Sequence, residues 1–438
     1  MNILMMTNTY TPLVGGLERS IQHFTLEYRK RGHRVVIVAP EYEGSPEHEE
    51  DVIRVPSISH INGSDFSLQL PVPGILTEAL KGFEPDIIHA HHPFLIGNTA
   101  VRLAYSHHVP LVFTHHTLFE EYTHLLPIDT PAMKRFVIEL ATGYANLCDQ
   151  VFAPSESIAL LLRKRGVKTP ISIVPTGIEI PKHIKINKAS LRQKFGLPLD
   201  ALVLGHVGRL SPEKNLKFLS KVLARFARKN ANVHVLLVGD GPSKAEFEEL
   251  FLRNNLSARL HCPGVLKDQD LIDAYQSMDA FVFSSKSETQ GLVVAEAMAN
   301  SLPVIALDAP GVREVVQDGV NGRLLFSETI GAFLKALTEF SQMSRSDREQ
   351  MARAARKTAT GFSMEKCAYR ALSLYTRLLK KQVNRPDLEQ SRWATVLGWI
   401  QGEWGAVKTL AVATGKAVAA AATPNNGFEE PEMTKLSS

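Results

Sequence analysis

The stretch SSKSETQGLVVAEAMANSLPVIA, residues 284–306, sets Glu288 at the mouth of an apolar run and Glu296 within it. Glu296 is flanked by Val293, Val294, Ala295, Ala297 and Met298, so a helix built on this segment is largely buried. A buried carboxylate without a partner costs about 1–3 kcal/mol, and more if it stays charged. A neighbouring arginine, a run of backbone amides or a bound ligand bearing hydroxyl groups would each satisfy it. Upstream, GHVGRLSPEKN places Arg209 and Lys214 just beyond an apolar strand. A planar fork of donors beside a compact ammonium suits a diphosphate, although solvated surface charge accounts for the spacing as well.

Two glycine turns add to this set. In TPLVGGLE, Gly15 and Gly16 separate the first strand from the first helix, which permits close backbone approach and offers amides to an anion; a tight turn explains them nearly as well. VGDGPSK looks like a phosphate loop, but it also describes an ordinary strand-turn-helix junction with Pro242 at the first helical position. Neither turn matches GxGxxG, and no acidic residue closes HRVVIVAP to hold an NAD ribose, which disfavours a dinucleotide dehydrogenase.

Histidines crowd the first half in HAHHP, YSHHV and THHTLFEEYTH, with Glu120 and Glu121 nearby. HExxH and HxxEH are absent, and adjacent residues on a strand point to opposite faces, so a zinc site is the weaker reading. A histidine at the end of a strand that hydrogen-bonds a neutral polar ligand is the better one, and His116 is the best placed. No DxD stands at a strand end. DQD, Asp268 to Asp270, precedes the helical LIDAYQSM and reads as an N-cap.

The elements that must position these residues recur in two sets. MNILMMTN, a glycine turn, an amphipathic helix ending at Gly32 and HRVVIVAP open the first, which continues through DIIHAH, LVFTHH, QVFAPS and ISIVPT. ALVLGHVGRL restarts the pattern, followed by VHVLLVGDGP, LHCPG, AFVFSS and PVIAL with helical stretches between them. Alternating strands and helices imply parallel, doubly wound sheets, with PTGIEIPKHIKINKAS as the linker between two domains. A chain of 438 residues is long enough for both. Ligands of such sheets bind at the carboxyl ends of the strands. The domains are therefore expected over 1–181 and 182–365. A helix over 366–382 is expected to return to the first domain, ahead of a tail over 383–438. That tail holds Trp393, Trp399 and Trp404; Trp393, Leu397, Ile400, Trp404, Val407 and Ala411 lie on one helical stripe, which suits a membrane surface or packing on the protein.

Bulk properties bound the function. Residues 1–181 carry 14 Lys/Arg against 19 Asp/Glu and the remainder 35 against 26, an asymmetry that suits an anion-binding second half but is too mild for nucleic acid. Cys148, Cys262 and Cys367 match no zinc or redox spacing and point to a reducing compartment. With no charged leader and no apolar run of about 18 residues, the expectation is a cytoplasmic protein, with peripheral membrane contact left open.

In combination, SETQGLVVAE, GRLSPEKN, GDGP, the Gly-Gly turn and PTGIE fall in the order found in family 4 retaining glycosyltransferases, which the chain resembles over roughly residues 1–380. THHTLFEEYTHLLP with SETQGL is similar to the bacterial branch that glycosylates diacylglycerol and related glycolipids. The resemblance implies a GT-B fold, two Rossmann-like α/β domains facing across a cleft with a C-terminal helical extension. It implies that Glu288 faces the hexose, Glu296 takes the ribose hydroxyls, and Arg209 and Lys214 hold the diphosphate. Gly16 would approach the phosphates or acceptor from the other domain, His116 would contact the sugar, and the amides of Gly291 and Leu292 would orient its hydroxyls. The implied reaction uses a nucleotide sugar as substrate, with UDP-glucose favoured, a lipid or glycan acceptor, and neither metal nor cofactor. Polysaccharide or lipopolysaccharide assembly, or mannosyl transfer from GDP-mannose, is the nearest alternative; a sugar-nucleotide epimerase or a non-catalytic membrane-associated scaffold is the alternative of another class.

Overall fold

The computed structural model describes the chain except for residues 14, 47–48, 59–67, 70–75, 77, 122–129, 182–186 and 382–438. The tryptophan stripe of the tail therefore lies outside the described residues.

Two parallel sheets carry the fold. The first contains β1 (Asn2–Met6), β2 (Arg34–Pro40), β3 (Val52–Val55), β6 (Ile87–Ala90), β7 (Leu111–Thr114), β8 (Gln150–Ala153) and β9 (Ile171–Ile173), in the spatial order β3-β2-β1-β6-β7-β8-β9. Ser57–Ile58 (β4) and Leu68–Gln69 (β5) form a small antiparallel pair beside it. The second sheet contains β10 (Leu202–Val207), β11 (Val233–Val238), β12 (Leu260–Gly264), β13 (Ala280–Phe283), β14 (Val304–Leu307) and β15 (Gly322–Leu325), in the order β12-β11-β10-β13-β14-β15. In each sheet the order reverses once, between β1 and β6 and between β10 and β13.

The central strands are apolar on both faces, as strands sandwiched between helix layers must be. Every residue of β6, β7, β13 and β14 is buried. The Gly16–Lys30 helix turns Ile21, Phe24, Thr25 and Tyr28 inward at steps of three, one and three. Against it packs the Met364–Leu379 helix, whose Cys367, Ala371, Leu374, Tyr375 and Leu378 join Tyr28, Ile37 and Phe152 in one cluster. The last described helix thus leaves the second sheet and covers the first. Ile178 and Ser363 form a β-bridge where the chain passes between the two sheets.

The structure departs from the sequence reading at several points. β3 and β15 were not anticipated: each is four residues long, too short for a period to show, and Arg54 breaks the apolar character of VIRV. The expected linker ends in a helix, Lys188–Lys194, because Asn187 caps it by accepting a hydrogen bond from the Ser190 amide at 3.3 Å. Pro242 lies outside its helix, which begins at Lys244.

Candidate active site

The reversal points of the two sheets gather the residues singled out from the sequence. Gly16 follows β1, His116 follows β7, which lies one strand further on beyond β6, Arg209 and Lys214 follow β10, and Glu288 follows β13. A reversal leaves a crevice at the strand ends because the connections on either side run to opposite faces.

Lys214 closes a single 3₁₀ turn, Pro212–Lys214, and Asn215 takes a left-handed conformation at φ 57° to start the Leu216–Lys229 helix. The Ser284 hydroxyl holds this turn by donating to the carbonyls of Lys214 at 3.0 Å and Asn215 at 3.1 Å. The Lys214 ammonium donates to Glu288 Oε1 at 2.7 Å, with side-chain exposures of 22% and 15%. The two residues expected to touch diphosphate and hexose therefore meet each other. Arg209 is exposed and pairs with no carboxylate among the described residues. Beneath this turn His206 is fully buried; its Nδ1 lies 3.1 Å from the Val282 carbonyl, and burial pushes its pKa down to about 4.

Two helix starts face each other across the gap between the sheets. Gly16 opens the Gly16–Lys30 helix, and a Cβ built on it would lie 3.5 Å from Leu292 Cδ1. Leu292 opens the Leu292–Ala299 helix, and Gly291 precedes it at φ 67°, a conformation that favours glycine. Each helix N-terminus offers unpaired amides and positive potential, which suits an anion beside it. Within the first turn, Arg19 of the first helix lies 3.5 Å from Glu296 of the second. The Tyr275 hydroxyl donates to the same carboxylate at 3.0 Å. Burial pushes the Glu296 carboxyl above its usual range, opposed by Arg19 and the Tyr275 hydroxyl. Arg19 was missed, although a signal existed: a cation in the first turn opposes the helix dipole and asks for an anionic partner.

The loop bearing Glu288 is fastened to the opposite domain. The Thr289 hydroxyl donates to the His116 carbonyl at 2.9 Å, and the Ser155 hydroxyl donates to the Thr289 carbonyl at 2.7 Å. The Gln290 amide pairs at both ends with Thr176, accepting from its N–H at 2.6 Å and donating to its carbonyl at 2.8 Å. The backbone of His116 is thus tied to the residue after Glu288, and His116 itself is partly buried. Nearby the imidazoles of His89, His91 and His115 are buried and His92 is partly buried; loss of solvent pushes His89, His92 and His115 down to about 3, so these rings are neutral. Thr289 and Gln290 had no signal beyond their position beside Glu288.

Among the described residues no group of three or more His, Cys, Asp or Glu is placed to hold a metal. In DQD the helix starts at Asp268 with Lys267 at the N-cap, so the aspartates lie in the first turn and do not cap it, and Asp270 pairs with Lys194 at 2.6 Å.

Two Rossmann-like domains that meet at their strand ends and helix starts define a GT-B glycosyltransferase. Residues 14–181 match Glycosyltransferase Family 4 and residues 187–358 match Glycosyl transferases group 1, and the chain belongs to the family 4 glycosyltransferases. It is 29% identical over 355 residues to the alpha-monoglucosyldiacylglycerol synthase of Streptococcus pneumoniae, covering 78% of this chain and 80% of that protein. It is 26% identical over 360 residues to the GDP-mannose-dependent alpha-mannosyltransferase of Corynebacterium glutamicum, covering 78% and 82%. The crystal structure of Anabaena HepE in complex with UDP shares the fold, with a TM-score of 0.69 at 22% identity over 86% of this chain and 100% of that one.

Proposed function

We propose that this chain transfers a hexose from a nucleotide sugar, UDP-glucose by preference, to a lipid acceptor such as diacylglycerol or a glycolipid, with retention of anomeric configuration. The Lys214–Glu288 pair at the reversal point of the second sheet, a few residues ahead of the Leu292 helix start that Gly16 of the other domain contacts, carries the reading. A donor entering this gap brings a diphosphate to Lys214, Arg209 and the amides around Gly16. Its sugar lies against Glu288, His116 and the Gly291 and Leu292 amides, and its ribose hydroxyls reach Glu296. The C1–oxygen bond to the diphosphate breaks as the cations take up the developing charge. The departing phosphate oxygen accepts the acceptor's proton, and the acceptor oxygen bonds C1 on the face the phosphate leaves. No metal is required where Arg209 and Lys214 neutralise the leaving group.

The alpha-monoglucosyldiacylglycerol synthases among the relatives support the glucose donor and the lipid acceptor. GDP-mannose with a different acceptor is the second reading, supported by the mannosyltransferases. A thermal-shift comparison of UDP-glucose with GDP-mannose tests the donor. At 100 times its dissociation constant a donor stabilises the folded chain by ~2.7 kcal/mol. UDP-glucose is expected to raise the melting temperature more than GDP-mannose does. Glu296→Gln is expected to shrink the shift, because a charge-assisted contact worth ~1.5–3 kcal/mol is lost. A larger shift with GDP-mannose would reassign the donor, and an undiminished shift in the variant would remove Glu296 from its site.

A lipid acceptor also calls for work at a membrane surface. No helix among the described residues is long and apolar enough to cross a membrane. We place the enzyme peripherally at the inner face, with the tryptophan stripe of the tail as the contact. Full-length protein is expected to float with anionic lipid vesicles, and a chain ending at Gln382 to float less; equal flotation would leave the tail without that role.

A further inference from the structure

His91 is 1% exposed and stands at the end of β6, where its backbone N–H donates to the Met6 carbonyl at 2.9 Å. Its Nδ1 lies 2.9 Å from His116 Nε2, and the two rings stack with centroids 5.2 Å apart. On its other face it meets His89 at 4.2 Å. Its Nε2 is buried with no hydrogen-bond partner. Burial holds both His91 and His116 neutral, so each ring carries one N–H.

That leaves two arrangements. If His116 donates from Nε2 to His91 Nδ1, the proton of His91 sits on its buried Nε2, a donor with nothing to receive it. His89 offers no rescue, because its lone pair is already engaged. The Tyr28 hydroxyl lies 3.5 Å from the Tyr375 hydroxyl, which lies 2.6 Å from His89 Nδ1, and His89 Nε2 lies 2.7 Å from the Thr114 hydroxyl. A proton passed along this chain in order makes His89 a donor to Thr114 and fills its Nδ1. If instead His91 donates from Nδ1 to His116 Nε2, the group left unpaired is a bare lone pair. Buried unpaired acceptors occur more readily than buried unpaired N–H groups. The second arrangement puts the proton of His116 on Nδ1, which has no hydrogen-bond partner among the described residues.

The geometry points to His91 as a positioning residue that fixes the tautomer of His116, so that His116 presents Nδ1–H as a hydrogen-bond donor to a ligand oxygen in the cleft. That this oxygen is a hexose hydroxyl rests on the function proposed above; the tautomer does not. A sugar hydroxyl can donate as well as accept, so a fixed donor at this point sets which way that hydroxyl turns.

Long-range proton–nitrogen correlation on the full chain labelled with nitrogen-15 histidine reads the tautomer directly, with the His116 signals assigned by their loss in His116→Gln. The expected result is Nδ1–H in the unliganded wild type. His91→Phe removes the donor and is expected to move His116 toward Nε2–H. His91→Asn, whose amide nitrogen can occupy the Nδ1 position, is expected to keep Nδ1–H. In transfer assays kcat/KM is expected to fall about tenfold in His91→Phe, the scale of one lost hydrogen bond, and to recover in His91→Asn. Nε2–H in the wild type overturns the inference, whether or not the phenylalanine variant folds. A His116 tautomer unmoved by His91→Phe overturns it as well. Nδ1–H in a chain that transfers no hexose from any donor would leave the tautomer standing and remove the proposed reaction.

Discussion

Lys214→Ala is expected to lower hexose transfer by about 10²–10³-fold, the loss seen when one charge-stabilising donor is taken from a reacting centre. Lys214 is the only cation paired with Glu288 among the described residues, and both sit where the second sheet reverses. Removing it leaves the departing diphosphate with less compensation and frees Glu288 from its 2.7 Å anchor. Glu288→Ala should cost a comparable factor through the sugar. Neither change should unfold the chain, because the pair joins two loops beyond the strand ends and belongs to no core cluster. Transfer rates and circular dichroism on the two variants check this together. Near-normal transfer with an unchanged spectrum in both would take the pair out of the reaction.

The largest stability effect is expected from Gly239→Ala. Gly239 has φ 129°, and a Cβ there would lie 1.9 Å from the Gly208 carbonyl oxygen. Gly241, at φ 150°, would meet the Leu210 carbonyl oxygen at 2.4 Å. The turns after β10 and β11 touch backbone to backbone, and they are tied by the Leu210 N–H to the Asp240 carbonyl at 2.9 Å and the Ser243 N–H to the Leu210 carbonyl at 2.8 Å. A methyl group at 239 must displace the strand end that carries Arg209. Backbone strain and the forced shift together should cost ~3 kcal/mol or more. For a domain of this size that is a melting-temperature loss of about 6–12 °C. Gly143→Ala is the control: it lies inside the Pro131–Ala145 helix with open space around it, and there alanine should stabilise by up to ~1 kcal/mol. Equal melting temperatures for Gly239→Ala and the wild type would show that the two turns can separate freely.

This contact also shows what could be read from the residues alone. Gly239 and Gly241 describe an ordinary turn until the neighbouring turn is seen pressed against them, and that neighbour is 31 residues away in the chain. The buried strands were legible because their apolar runs are bounded by glycine and proline, and two successive sets of them implied two sheets. Arg209, Lys214 and Glu288 stood out as charges at strand ends, where elementary topology puts ligands. Pairings across the cleft were not legible. Glu296 could be seen to need a partner, but Arg19 and Tyr275 are supplied by helices 277 and 21 residues away. Thr289 and Gln290 are small polar residues whose role comes from the facing His116, Ser155 and Thr176. The histidines drew notice as possible metal ligands. Their stacking, which makes one of them the support of another, depends on β6 and β7 lying side by side with His89 opposite Val112.

The proposed reaction is retaining transfer of a hexose to lipid without a metal. Nuclear magnetic resonance of the product formed by the full-length chain, with UDP-glucose labelled at C1, diacylglycerol vesicles and EDTA present, tests it most directly. An α-linked glucosyl lipid, formed as UDP is released, is the predicted result; a β-linked product, or a free altered sugar with no lipid product, would contradict it.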